Sequence, residues 1–238
     1  MLVAAAVCPC PPLLVPEVAA GAASELDAAR AACSDALAVL TAARPDRLVV
    51  VGPADEAGRG PHPEGAHGSF RGFGVEVAVR LGRAGVDAPS ARELPVSLAV
   101  AAWLLERAGW SAAPVEGLGV GEPLPVERCV ETGRGLGARA DRVALLVMGD
   151  GSACRTLKAP GYLDERAAPF DAAVARALGA ADVEAIKALD AGLAHELKAA
   201  GRTSWQVLAG AAENAGLSGS LLYEDAPYGV GYMVAAWS

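Results

Sequence analysis

Two thiols stand where the first apolar run of this chain ends, in Val7-Cys8-Pro9-Cys10-Pro11-Pro12-Leu13-Leu14. Cys10 sits between prolines, whose fixed φ angles exclude regular hydrogen bonding and leave a rigid loop. Such a loop at a strand end suits a metal ligand or a nucleophile. As a nucleophile Cys10 needs a base within reach, and His62 or His67 could supply it. As a ligand it needs companions. A Cys-x-Cys pair falls short of the four ligands of a closed zinc site, and Cys33, Cys129 and Cys154 form no second pair. A non-haem iron site takes two histidines and a carboxylate on one face. The chain has three histidines. His62 and His67 lie in a glycine-rich stretch, whereas His195, in Ala194-His195-Glu196-Leu197-Lys198, reads as solvated helix surface.

Two carboxylates complete the set of candidates. Asp150, in Gly149-Asp150-Gly151-Ser152, follows a strongly apolar run. It reads either as a turn residue bonding the loop backbone or, with Ser152, as a polar group aimed into a cleft. Glu224 follows Leu221-Leu222-Tyr223 and precedes a proline-glycine turn, so it is either a turn carboxylate or a metal ligand. Gly117-Leu118-Gly119-Val120-Gly121 is not a phosphate loop, because no helix starts directly after it.

These residues must be positioned by alternating strands and helices. Leu2–Val7, Arg47–Val51, Ala113–Val120 and Arg142–Met148 read as strands. Val75–Leu81 reads as a further one, and Ser220–Glu224 with Gly231–Trp237 as a terminal strand pair. Helices are expected over Glu25–Ala43 (with Ser24 as N-cap and Pro45 as stop), Pro95–Ala108 and Val126–Ala138, the last interrupted by glycines. Others follow over Pro169–Leu178, Asp182–Leu189, Leu193–Ala199 and Ser204–Asn214. The first strand, helix and second strand form a βαβ unit, which implies a parallel pair. Residues 52–74 form a long glycine- and proline-rich loop. No repeat or linker divides the chain, so residues 1–238 are expected to form a single three-layer α/β domain with a mainly parallel central sheet flanked by helices. Ligands of open α/β sheets bind beyond the carboxyl ends of the strands. Cys10, the loop at Gly52, Asp150 and Glu224 all fall at such ends.

Composition narrows the function classes. With 53% hydrophobic and 20% charged residues, the chain can bury a sizeable core. A net charge of -8 and no basic run leave no electrostatic footprint for nucleic acid. No apolar stretch reaches the length of a membrane span, and the short run at 2–7 lacks the flanks of a signal peptide. Five cysteines without repeated spacing point to free thiols and a cytoplasmic location.

Three segments together resemble the class III extradiol ring-cleavage dioxygenase family, which is itself similar to the Memo proteins. The family's His-Pro-Pro-Leu-Leu-Val-Pro-Glu loop is matched by Cys10-Pro11-Pro12-Leu13-Leu14-Val15-Pro16-Glu17. Its Gly-Asp-Leu-Ser-His-Arg motif is matched by Gly149-Asp150-Gly151-Ser152-Ala153-Cys154-Arg155, followed by Pro160-Gly161 and Phe170-Asp171. Its terminal Tyr-Glu-x-Pro-Phe-Gly-Val-Gly-Tyr resembles Tyr223-Glu224-Asp225-Ala226-Pro227-Tyr228-Gly229-Val230-Gly231-Tyr232. The resemblance implies the family's α/β fold, a frequent homodimer, and an Fe(II) held by two histidines and a glutamate. Here the first ligand histidine falls on Cys10 and the acid–base histidine on Ala153. The second ligand histidine is missing after Val51, where the chain reads Gly52-Pro53-Ala54, and only Glu224 matches.

The expected function is therefore a divergent dioxygenase-like protein without Fe(II) ring cleavage, binding a small molecule or protein partner in the strand-end cleft. The binding residues this implies are Cys10, Pro11, Asp150, Ser152, Tyr223 and Tyr228. The alternatives are an oxygenase or hydrolase using Cys10, Glu224 and His62 or His67 around Fe(II) or Zn(II), and a thiol enzyme using Cys10.

Overall fold

The computed structural model describes residues 1–83 and 92–238. Its elements in chain order are β1 (Leu2–Cys8), α1 (Pro16–Ala19), α2 (Asp27–Ala42), β2 (Arg47–Pro53), β3 (Gly60–His62), β4 (His67–Ser69), β5 (Ala78–Arg80) and α3 (Val96–Arg107). They continue with β6 (Val115–Val120), α4 (Val126–Gly137), β7 (Val143–Met148), α5 (Ala167–Gly179), α6 (Val183–Lys187), α7 (Ala191–Glu196), α8 (Arg202–Ala212), β8 (Gly219–Asp225) and β9 (Tyr232–Trp237).

Seven strands form one sheet in the order β3-β6-β2-β7-β1-β9-β8, and β4 pairs with β5 in a separate ribbon. The four inner strands β6, β2, β7 and β1 run parallel. At the margins β3 is antiparallel to β6, β9 to β1, and β8 to β9. A parallel strand with helices on both faces has no solvated side, which is why β7 reads Val-Ala-Leu-Leu-Val-Met and is buried at every residue. β1 shows how one strand serves two cores. Ala4, Ala6 and Cys8 pack with Cys33, Leu37 and Leu40 of α2 and with α3. Ala5 and Val7 face α8 and α5 on the other side, among Trp205, Leu208 and Val174. The result is the three-layer α/β arrangement expected. No helix among the described residues is long and apolar enough to cross a membrane.

Several expectations need correction. Ser24 does not cap α2: it lies in a 3-10 turn over Ala20–Leu26, and α2 begins at Asp27 without a side-chain cap. Arg30 ties this turn down instead, donating to the Leu14 carbonyl at 3.2 Å and also to the carbonyl of Ala23. β1 and β2 are parallel but not neighbours, because β7 enters between them. A βαβ pattern fixes direction; adjacency is open to any later strand that is more apolar on both faces. The loop at 52–74 contains β3, which extends the main sheet, and β4. The strand expected over Val75–Leu81 shortens to Ala78–Arg80, matched to the three residues of β4.

The glycines of α4 have a packing cause. A Cβ on Gly133 would collide with the Val207 carbonyl oxygen of α8, and one on Gly210 would collide with the Val130 carbonyl. The two helices therefore touch backbone to backbone, which a helix of larger residues cannot do. Gly133→Ala gains intrinsic helix propensity, on the order of 1 kcal/mol, yet must push α8 away. We expect net destabilisation of roughly 1–3 kcal/mol, read as a lowered urea midpoint at unchanged slope.

Candidate functional site

Strand register brings the site together. In the β1–β7 pair Cys8 lies opposite Met148, so two residues further along each strand Cys10 meets Asp150. The Cys10 amide donates to Asp150 Oδ1 at 2.7 Å. On the other flank β9 is antiparallel to β1, with Val7 opposite Ala235, which carries Tyr232 to the level of Cys10. Pro11 is buried beside them. Pro12–Leu14 forms a single 3-10 turn whose Leu14 and Val15 anchor it in the α2-side core.

Burial sets the protonation of this floor. Cys10 is only 7% exposed. Burial, and then the Asp150 carboxylate, push its thiol well above the ordinary range, so at neutral pH it keeps its proton. Burial likewise raises Asp150 to about 7, opposed by the hydrogen bond from the Cys10 amide. Burial, with Asp150 next in weight, raises the Tyr232 phenol. A thiol, a carboxyl and a phenol thus meet at the ends of three adjacent strands.

Ser152 turns away from this floor. Its amide and hydroxyl donate to Asp171 Oδ1 and Oδ2 at 2.7 and 2.8 Å. Arg155 Nη1 donates to Oδ2 at 3.0 Å. Asp171, from α5, is 1% exposed. Gly151 and Gly231 leave it room: a Cβ on either would meet its carboxylate oxygens within contact distance. The Asp150 loop is then laced to the β8–β9 turn, with Gly151 N–H donating to Gly231 O, Gly231 N–H to Ser152 O, and Arg155 N–H to Gly229 O.

The other candidates lie elsewhere. His62 is buried in β3, four strand spacings (roughly 19 Å) from β1. Its Nε2 is 2.8 Å from the Gly58 carbonyl, and burial lowers its pKa. His67 is exposed in the β4–β5 ribbon, and His195 is exposed on α7. Glu224 pairs with Met233, which belongs to the α8-side core, whereas Cys10 packs in the α2-side core. Directly paired residues share a face, so Glu224 and Cys10 are assigned to opposite faces of the sheet. Tyr223 is half-buried on the Cys10 side. Among the described residues no three His, Cys, Asp or Glu side chains converge closely enough to hold a metal ion. Ligand thiols must also be deprotonated, which the Cys10 environment opposes. These side chains do not fit an iron or zinc centre.

Concave space opens beside the segment that follows the Asp150 loop, lined by none of Cys10, Asp150 and Tyr232. One cavity of about 300 Å³ is lined by Arg155, Thr156, Glu224, Asp225 and Ala226. A second, of about 540 Å³, is lined by Thr156, Leu157, Lys158, Pro227 and Tyr228. The sequence pattern assigns a site role to Tyr228 and Glu224, but includes Arg155, Asp171 and Tyr232 only as motif members without a role, and does not single out Thr156 to Lys158. Tyr232 was available from an assumed β1–β9 register. Thr156 to Lys158 carry no motif and are brought there by the loop's backbone bonds.

Comparison with known proteins bears on the fold alone. The crystal structure of an uncharacterized protein from Escherichia coli K12 matches with a TM-score of 0.60, covering 99% of this chain and 99% of that one at 15% identity. No family model matches the sequence, and no curated protein matches it.

Asp171→Ala leaves Arg155 and Ser152 without their buried acceptor. The expected loss is about 3–5 kcal/mol, measured by urea unfolding at pH 7. Asp150 predicts a pH effect. Folded, it keeps its proton to about pH 7; unfolded, it ionises near 3.8. Between those values the unfolded chain binds fewer protons, so this group's contribution to stability falls as pH rises. Asp150→Asn should therefore gain on the parent between pH 4 and 7 by on the order of 4 kcal/mol, then hold a constant difference above pH 8. A gap that does not change with pH in urea titrations would exclude a raised Asp150.

Proposed function

We propose that this protein is a divergent relative of the class III extradiol ring-cleavage dioxygenases, which binds a small molecule in its strand-end cleft without Fe(II) ring cleavage. The motif order from Cys10 to Tyr232 supports assignment to that family's fold. The observation that carries the functional reading is the protonated floor. Where the family places its first ligand histidine, this chain has a buried thiol held above its ordinary pKa. Ala153, in the acid–base position, has only a methyl group and cannot move a proton.

The same chemistry weighs against the alternatives. A thiol enzyme needs a thiolate at working pH, and both burial and Asp150 oppose one at Cys10. An oxygenase or hydrolase built on Cys10, Glu224 and a histidine would need side chains from opposite sheet faces and from a strand at the far edge. A small molecule is favoured over a protein partner because the space is concave. The larger cavity, about 540 Å³, lies within the usual range of ligand pockets, roughly 300–1,000 Å³.

Untagged protein, loaded anaerobically with Fe(II) and then exposed to oxygen with catechol or protocatechuate, should consume no oxygen and form no ring-opened product. After dialysis it should retain no stoichiometric iron or zinc by elemental analysis. A stoichiometric ion that disappears in both Cys10→Ala and Glu224→Ala would overturn the proposal, as would ring cleavage.

A further inference from the structure

A second polar cluster is buried where α8 begins. No helix follows Gly117 to Gly121 directly, yet the fold brings one there: the start of α8 meets the turn after β6 at Glu122. Arg202, Thr203 and Ser204 open α8 and are 2%, 1% and 0% exposed. Arg202 Nη1 donates to the Leu124 carbonyl at 2.9 Å and to Gln206 Oε1 at 3.0 Å, and Nη2 donates to the Glu122 carbonyl. These bonds hold the guanidinium and the turn in fixed places.

The Glu122 side chain is held far less well. Its Oε2 is 3.4 Å from Arg202 Nη2, and its Oε1 is 3.4 Å from Thr203 Oγ1. A well-made charge-assisted bond spans about 2.7–2.9 Å. Arg202 and Thr203 pull the Glu122 carboxyl down, but burial outweighs them and raises its pKa. Donors are also left over. Arg202 Nε has no acceptor, and in the rigid guanidinium fork it shares an edge with Nη2, the nitrogen that meets Glu122. The Ser204 hydroxyl is buried without a partner as well, and helical side chains tilt toward the N-terminus. The first N–H groups of a helix find no acceptor within it and favour an anion. More donors converge here than two carboxylate oxygens satisfy.

We propose that this cradle is a phosphoryl-binding site, which Glu122 occupies when no ligand is bound. The three acceptor oxygens of a phosphoryl group take Arg202 Nε and Nη2, Thr203 Oγ1 and the first-turn amides of α8. The Glu122 side chain is 29% exposed, so it can swing into water and uncover the site. The inference goes beyond the small-molecule cleft proposed above and does not depend on it.

The test uses the full chain and Glu122→Ala, which empties the cradle. Inorganic phosphate and phenyl phosphate are titrated and followed by amide chemical shifts, with acetate and chloride at matched ionic strength as controls. Both phosphates should bind the variant about tenfold or more tighter than the parent, the order set by removing a competitor for charged hydrogen bonds. Shifts should map to 202–204. Tighter binding of phenyl phosphate would make the ligand a phosphomonoester and tighter binding of inorganic phosphate the free anion; either supports the site. Thr203→Val added to Glu122→Ala should cancel most of the gain. If Glu122→Ala does not fold, Glu122→Gln keeps the side-chain volume without the charge and is judged by the same comparison. Equal affinity of parent and variant, shifts away from the start of α8, or acetate or chloride bound as tightly as phosphate would overturn the proposal.

Discussion

The buried Asp171 carboxylate is the interaction on which the strand-end region depends. It lies under the loop that leaves β7 and accepts three hydrogen bonds, two from Ser152 and one from Arg155. A buried carboxylate is costly unless its oxygens are satisfied, and these three donors satisfy them. The arrangement also requires glycine at 151 and 231, since a side chain at either would meet the carboxylate. Once the loop is held there, the Cys10 amide reaches Asp150, and Arg155 to Lys158 line the two cavities beside it. An α5 side chain thus shapes a site to which it contributes no wall of its own.

The sheet supplies the other constraint. Parallel register between β1 and β7 and antiparallel register between β1 and β9 place Cys10, Asp150 and Tyr232 at one level. Backbone ladders set this convergence, and it does not need matched side chains. Residue identity at these positions can therefore change while their proximity persists. A thiol can stand at the end of β1 without disturbing the strand, provided Leu14 and Val15 still anchor the following turn.

Much of the layer structure was legible in the sequence. Arg142–Met148 reads as a doubly buried strand because every residue after the arginine is apolar, and the structure buries each of them. The terminal strand pair was legible from its turn, Pro227-Tyr228-Gly229, with Gly229 at φ 74°. Strand order was not, because the insertion of β7 between β1 and β2 is decided by long-range competition that no local pattern reports. The start of α2 was misplaced because Ser24 has the right side chain for a cap, while Arg30 stabilises a 3-10 turn there instead. In the site, Cys10 and Asp150 were legible as strand-end residues. The separation of Glu224 from Cys10 depends on the register shift between Leu221 and Tyr223, an irregularity that changes which face Glu224 occupies.

Burial and strand geometry together set the charge of the floor. Cys10, Asp150 and Tyr232 are all raised by burial, so below about pH 7, the value to which Asp150 is raised, these three groups carry little charge. A metal centre would reverse that condition, since its cation favours ionised ligands. Glu224 and Asp225 are both exposed, and as consecutive strand residues paired with Met233 and Tyr232 they turn to opposite faces of the sheet. On the far face from Cys10, Glu224 cannot share a ligand sphere with it.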